Sequence, residues 1–158
     1  MLELVIISGM SGSGKTTALR ALEDLGFFCV DNLPVGLIPQ FVELCASSWE
    51  VRRSALVVDV REGEFLRDLD HVVEELRRRT RLRVLFLECD DEVLRSRFRE
   101  TRRRHPLAPE GDLREAMQRE RELLRSLREL ADWVLDTSGL SPHRLRELVQ
   151  RELSGAAL

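Results

Sequence analysis

Eight residues near the N-terminus, Gly9-Met10-Ser11-Gly12-Ser13-Gly14-Lys15-Thr16, constrain this 158-residue chain more than any other stretch. They match G-x-x-x-x-G-K-[ST], and they lie between an apolar β-branched run, Leu4-Val5-Ile6-Ile7, and a segment with helical spacing. A strand that turns through glycines into a helix at its first crossover belongs in an α/β fold with a parallel sheet. Each position has a chemical reason. Glycines reach backbone conformations closed to other residues, so successive amides turn inward and form a nest for an anion. The following helix points its first amides at the same place. Lys15 then reaches the β- and γ-phosphates of a nucleotide, and the Thr16 hydroxyl holds Mg²⁺. Thr17 and the amides of Ser13 and Gly14 complete the cradle. The pattern therefore predicts binding of a nucleoside triphosphate.

The rest of the chain continues the alternation. Apolar runs at Phe27-Phe28-Cys29-Val30, Ala55-Leu56-Val57-Val58, Val84-Leu85-Phe86-Leu87 and Trp133-Val134-Leu135 are continuous rather than alternating, as suits strands buried on both faces. Helical patterns fill the gaps: Lys15 to Leu25, stopped by Gly26; Phe65 to Arg79; Asp91 to Arg104; Asp112 to Leu130; and a last helix opened by Ser141-Pro142. No repeat or low-complexity linker interrupts them, which predicts one domain over residues 1–154. The expected architecture is a kinase-like P-loop three-layer sandwich, helices on both faces of a parallel sheet in strand order 2-3-1-4-5.

Composition narrows the function classes. The net charge of −3 argues against a surface that attracts nucleic acid as a whole. The longest apolar runs are far short of the roughly 20 residues that span a bilayer, and the N-terminus lacks a basic signal-like region. Three cysteines, at 29, 45 and 89, show no metal-ligand or redox spacing and suit reduced thiols in a cytoplasmic protein. Lys15 is the only lysine; every other basic side chain of that class is arginine.

Acidic residues at strand ends are the candidates for the metal. Asp59 follows the third run in a Walker-B-like setting, and Asp31 follows the second; which of the two faces Mg²⁺, and which orients a nucleophile, stays open. Asp136, before Thr137-Ser138-Gly139, suits a turn or a contact to the base. The arginine-rich stretch from Arg95 to Arg104 suits phosphate oxygens, with Arg103 and Arg104 as candidate γ-phosphate contacts. His105, before Pro106, reads as a structural loop histidine, and Trp49 and Trp133 as packing residues.

Together these segments resemble the RapZ/YvcJ family of nucleotide-binding proteins, also called RNase adapter proteins. The resemblance rests on Ser8 to Thr16, on Ala21 to Pro34 with its Cys29-Val30-Asp31-Asn32-Leu33-Pro34, on Asp59-Val60-Arg61-Glu62, on Phe98 to Leu107 and on Ala131 to Ser138. It implies a domain that binds ATP and GTP and hydrolyses them weakly. Gly9 to Thr16 is then the ATP loop, and Asp59, Val60, Arg61 and Glu62 match the segment assigned to GTP. Family members act as adapters that bind small RNA and present it to a ribonuclease. Family chains are nearly twice this length, so their C-terminal domain, the suspected RNA-binding part, is expected to be absent. A small-molecule kinase that transfers the γ-phosphate to a hydroxyl is the rival reading.

Overall fold

A computed structural model describes residues 1–48, 50–59, 68–101, 105–107 and 112–154. Five strands form one sheet: β1 (Glu3–Gly9), β2 (Phe28–Val30), β3 (Arg53–Val57), β4 (Arg81–Glu88) and β5 (Trp133–Asp136). Their spatial order is β2-β3-β1-β4-β5, and every pairing is parallel, as expected. β1 therefore lies at the centre, with β3 on one side and β4 on the other.

Both faces of the sheet are covered, and β1 shows why its sequence is apolar throughout. Leu4 and Ile6 point into one core while Val5 and Ile7 point into the other, because successive side chains of a strand alternate. Helices α1 (Lys15–Asp24) and α7 (Pro142–Leu153) cover the second face through Ala18, Ala21, Leu22, Leu145 and Val149. On the first face lie α2 (Ile38–Ala46), α3 (Leu69–Arg79), α4 (Asp91–Thr101), α5 (Leu113–Leu123) and α6 (Arg125–Leu130).

Local signals explain three helix ends. Gly26 follows α1 at φ 92, and the amides of Gly26 and Phe27 donate to the carbonyls of Glu23 and Leu22. Asp112 and Ser141 cap α5 and α7 by accepting the amides of Arg114 and Arg144. Two features depart from the sequence reading. α2 occupies a stretch without a predicted helix; its buried stripe of Ile38, Val42 and Cys45 is short, and Pro39 is tolerated in its first turn. The helix predicted over Asp112 to Leu130 divides at Leu124, whose backbone leaves the helical range although its side chain is buried. Among the described residues no helix is long and apolar enough to cross a membrane.

Candidate functional site

In this strand order the chain passes from one side of β1 to the other between β3 and β4. The crevice at the carboxyl end of β1 is thus the topological switch point, where open α/β sheets bind ligands. The glycine-rich loop stands there. Gly9 pairs with Leu87 of β4 at φ 150, and a Cβ on it would lie 2.4 Å from the Leu87 carbonyl oxygen. Gly14, at φ 110, is the residue before α1 and supplies no side chain to cap it. The first amides of α1 have no partner within the helix. No side chain caps them, so this helix end carries the positive pole of α1 at the loop.

Lys15 leans back over the loop. Its Nζ donates to the carbonyls of Gly9 at 2.9 Å and Met10 at 3.1 Å, which holds the ammonium at the loop's entrance. The Thr16 hydroxyl belongs to an exposed residue, whereas Met10 and Ser13 are buried. The Ser13 amide, read from sequence as part of the cradle, is used by the loop itself and donates to the Met10 carbonyl at 2.9 Å.

The strand-end carboxylates fall at different distances from this loop. Val57 pairs with Ile7, so Asp59 stands level with Gly9 on the neighbouring strand's extension, and it is 6 % exposed. Asp31 follows β2, one strand further out, and is exposed. Its carboxylate accepts the amide of Asn32, which sits at φ 63, a conformation that asparagine tolerates better than most residues. An exposed hydroxyl at Thr16 and a buried carboxylate at Asp59 are hard oxygen donors that fit Mg²⁺, an ion usually held by one or two protein oxygens together with phosphate. Among the described residues no group of three His, Cys, Asp or Glu gathers to hold a metal alone.

Two contacts lock the loop to the far side of the sheet, and neither was foreseen. Arg97 on α4 donates to the Gly12 carbonyl at 2.8 Å and to the Thr137 carbonyl at 2.9 Å. The buried Thr137 hydroxyl donates to the Ser13 carbonyl at 2.7 Å. The Arg95-to-Arg104 stretch suggested phosphate contacts from sequence; at Arg97 the guanidinium grips loop carbonyls. Asp136 behaves as a turn residue: Ser138 donates to its carboxylate from the amide and from the hydroxyl, which lowers its pKa. Val60, Arg61, Glu62, Arg103, Arg104 and Trp49 lie outside the described residues.

Comparison with known proteins agrees with this geometry. A family model described as the RapZ-like N-terminal domain matches residues 2–157. A nucleotide-binding protein of Myxococcus xanthus is 56 % identical over 153 residues, which cover 96 % of this chain and 53 % of that protein. The chain thus spans about half the length of the curated relatives it matches. Among solved structures, a sugar kinase from Janibacter sp. superposes with a TM-score of 0.64 at 19 % identity, covering 99 % of this chain and 96 % of that one. Shikimate kinase from Bacteroides thetaiotaomicron does so with a TM-score of 0.64 at 18 % identity and full coverage of both chains, 100 % each. At such identities the likeness concerns the fold.

Proposed function

The chain belongs to the RapZ-like N-terminal domain family, and from that premise we propose that residues 1–154 form one regulatory domain that binds Mg²⁺ with ATP or GTP and hydrolyses it slowly. The observation that carries this reading is the uncapped N-terminus of α1 behind a left-handed Gly14, with Lys15 at the loop's entrance. That arrangement suits a polyphosphate and little else.

The proposed roles are these. Residues Gly9 to Thr17 surround the phosphates, and Lys15 releases its loop carbonyls to neutralise the charge that develops on the β- and γ-oxygens. Thr16 and Asp59 would hold the metal, which when bound would supply positive charge against the phosphate oxygens. Asp31, further out and exposed, orients water. By their place in the sequence alone, Val60, Arg61 and Glu62 are assigned to the nucleotide together with Asp59, and Arg103 and Arg104 are candidate γ-phosphate contacts. For the whole protein, the nucleotide state would control a cytoplasmic adapter that joins small RNA to a ribonuclease.

A second reading has its own support. Asp31, exposed just after β2, is a carboxylate able to orient an acceptor hydroxyl, and two of the similar solved structures are a sugar kinase and a shikimate kinase. Measuring phosphate release from Mg-ATP and Mg-GTP, with and without a panel of hydroxyl-bearing metabolites, separates the two. Slow release that ignores the metabolites supports the regulatory domain. Turnover that depends on one metabolite overturns it in favour of the kinase.

A further inference from the structure

One buried polar cluster beside the loop has no part in that scheme. Glu120 of α5 is 0 % exposed and His105 is 2 % exposed. The Ser11 amide donates to both Glu120 carboxylate oxygens at 3.0 Å, and the Ser11 hydroxyl donates to Oε2 at 2.5 Å. His105 Nε2 also lies 2.9 Å from Glu120 Oε1. The Leu107 amide settles the histidine tautomer. It can only donate, and it donates to His105 Nδ1 at 3.0 Å, so the ring proton sits on Nε2 and points at Glu120. Phe98 of α4 packs against the same ring, with centroids 5.5 Å apart.

We propose that Glu120 is a positioning residue for the phosphate loop, a claim that rests on the nucleotide-binding reading above. An amide and a hydroxyl of one residue held by one carboxylate fix both the backbone and the rotamer of Ser11. Both donors are turned outward, toward α5, so the nest is left to the amides that follow. His105 holds Oε1 of the same carboxylate, which ties His105 to the loop through Glu120. The loop is thereby shaped before its ligand arrives, and less ordering is left for binding to accomplish. Sequence spacing hides this arrangement, because Ser11 and Glu120 are 109 positions apart.

The test is calorimetric titration of the 158-residue protein with Mg²⁺ and a non-hydrolysable ATP analogue, alongside thermal melts. Glu120→Gln keeps the shape but presents an NH₂ group where an oxygen accepts from the Ser11 amide and from one further donor. It is expected to weaken affinity about tenfold, the scale of one hydrogen bond to a charged group. Ser11→Ala is expected to weaken it by a smaller factor, and adding it to Glu120→Gln is expected to weaken affinity no further. A lower melting temperature with wild-type affinity in Glu120→Gln would make Glu120 merely structural and overturn the proposal. So would tighter binding, which would mean that the carboxylate chiefly repels phosphate. If Glu120→Gln does not fold, Ser11→Ala decides, and unchanged affinity there overturns the proposal. Lys15→Ala, titrated in parallel, distinguishes the failures: intact affinity in that variant sinks the loop assignment itself, whereas lost affinity there beside intact affinity in the others sinks only the role of Glu120.

Discussion

Replacing Gly9 by alanine should be among the most damaging single changes in the loop, and the structure separates the reasons. The new Cβ would lie 2.4 Å from the Leu87 carbonyl oxygen and 2.9 Å from Ser13 Oγ. The first distance is about 1 Å inside the ~3.3–3.6 Å at which a carbon and a carbonyl oxygen normally rest. That carbonyl belongs to β4 in the interior of the sheet, so the loop must move instead. Moving it stretches the Met10 amide bond to the same oxygen, already 3.4 Å long. Overpacking of this kind costs about 1–3 kcal/mol. A weakened hydrogen bond adds about 1 kcal/mol, and the positive φ about 1–2 kcal/mol. The sum, roughly 3–6 kcal/mol, is a large share of the 5–15 kcal/mol that holds a typical domain together. Two other glycines serve as references. Gly26, at φ 92, has nothing within 4 Å of a Cβ, so Gly26→Ala isolates the backbone term of about 1–2 kcal/mol. Gly36 has open space and no positive φ, so Gly36→Ala should be neutral or stabilising by up to about 1 kcal/mol. Urea denaturation of the three variants reads the series. Gly9→Ala within about 0.5 kcal/mol of Gly26→Ala, at the level where surface changes scatter, would refute the reasoning.

Other predictions concern side chains around the loop and elsewhere in the fold. Arg97→Ala removes the donor that joins the Gly12 and Thr137 carbonyls and should cost about 1–2 kcal/mol of stability in the same assay, since part of the side chain is solvated; an unchanged midpoint would contradict it. The Cys29 thiol is pushed up to about 11 by burial and, secondarily, by Glu23. Iodoacetamide at pH 8 should therefore label it roughly a hundredfold more slowly in the folded protein than in the urea-unfolded chain, because only the thiolate reacts. The same shift has a sign for stability. Its folded pKa is raised, so its contribution is full below the unfolded value of 9.0 and is lost as pH rises through about 11. Denaturation midpoints should fall over that range, and a Cys29→Ala variant should fall less.

The fold was legible where local chemistry and tertiary structure agree. The strand, loop and helix from Leu4 to Leu25 carry their own instructions: continuous apolar residues, glycines where φ is positive, and Gly26 at the end of α1. Continuous apolar runs made a parallel sheet buried on both faces an accessible expectation, whereas the order 2-3-1-4-5 was expected from the kinase-like P-loop architecture and not from burial. Asp59 was visible because it ends an apolar run. What stayed hidden depends on contacts between distant parts of the chain. α2 is a short stripe whose apolar residues do not stand out from the surrounding loop. The break at Leu124 leaves the apolar pattern intact, so periodicity does not reveal it. His105 was read as a structural histidine and is indeed buried, but nothing near it in sequence indicates that its partner is Glu120 or that the pair holds Ser11. Arg97 was one arginine among many in an arginine-rich helix, and only the fold shows that it faces loop carbonyls.

The central claim is that the loop from Gly9 to Thr17 holds a nucleoside triphosphate through Lys15. Titrating the wild-type protein and Lys15→Ala with Mg²⁺ and the imido analogues of ATP and GTP tests it directly. Saturable one-to-one binding of at least one analogue by the wild type is expected. At least about a hundredfold weaker binding by Lys15→Ala is also expected, since two charge-assisted phosphate contacts are lost at once. Equal affinity in the two proteins, with Lys15→Ala fully folded, would contradict the central claim.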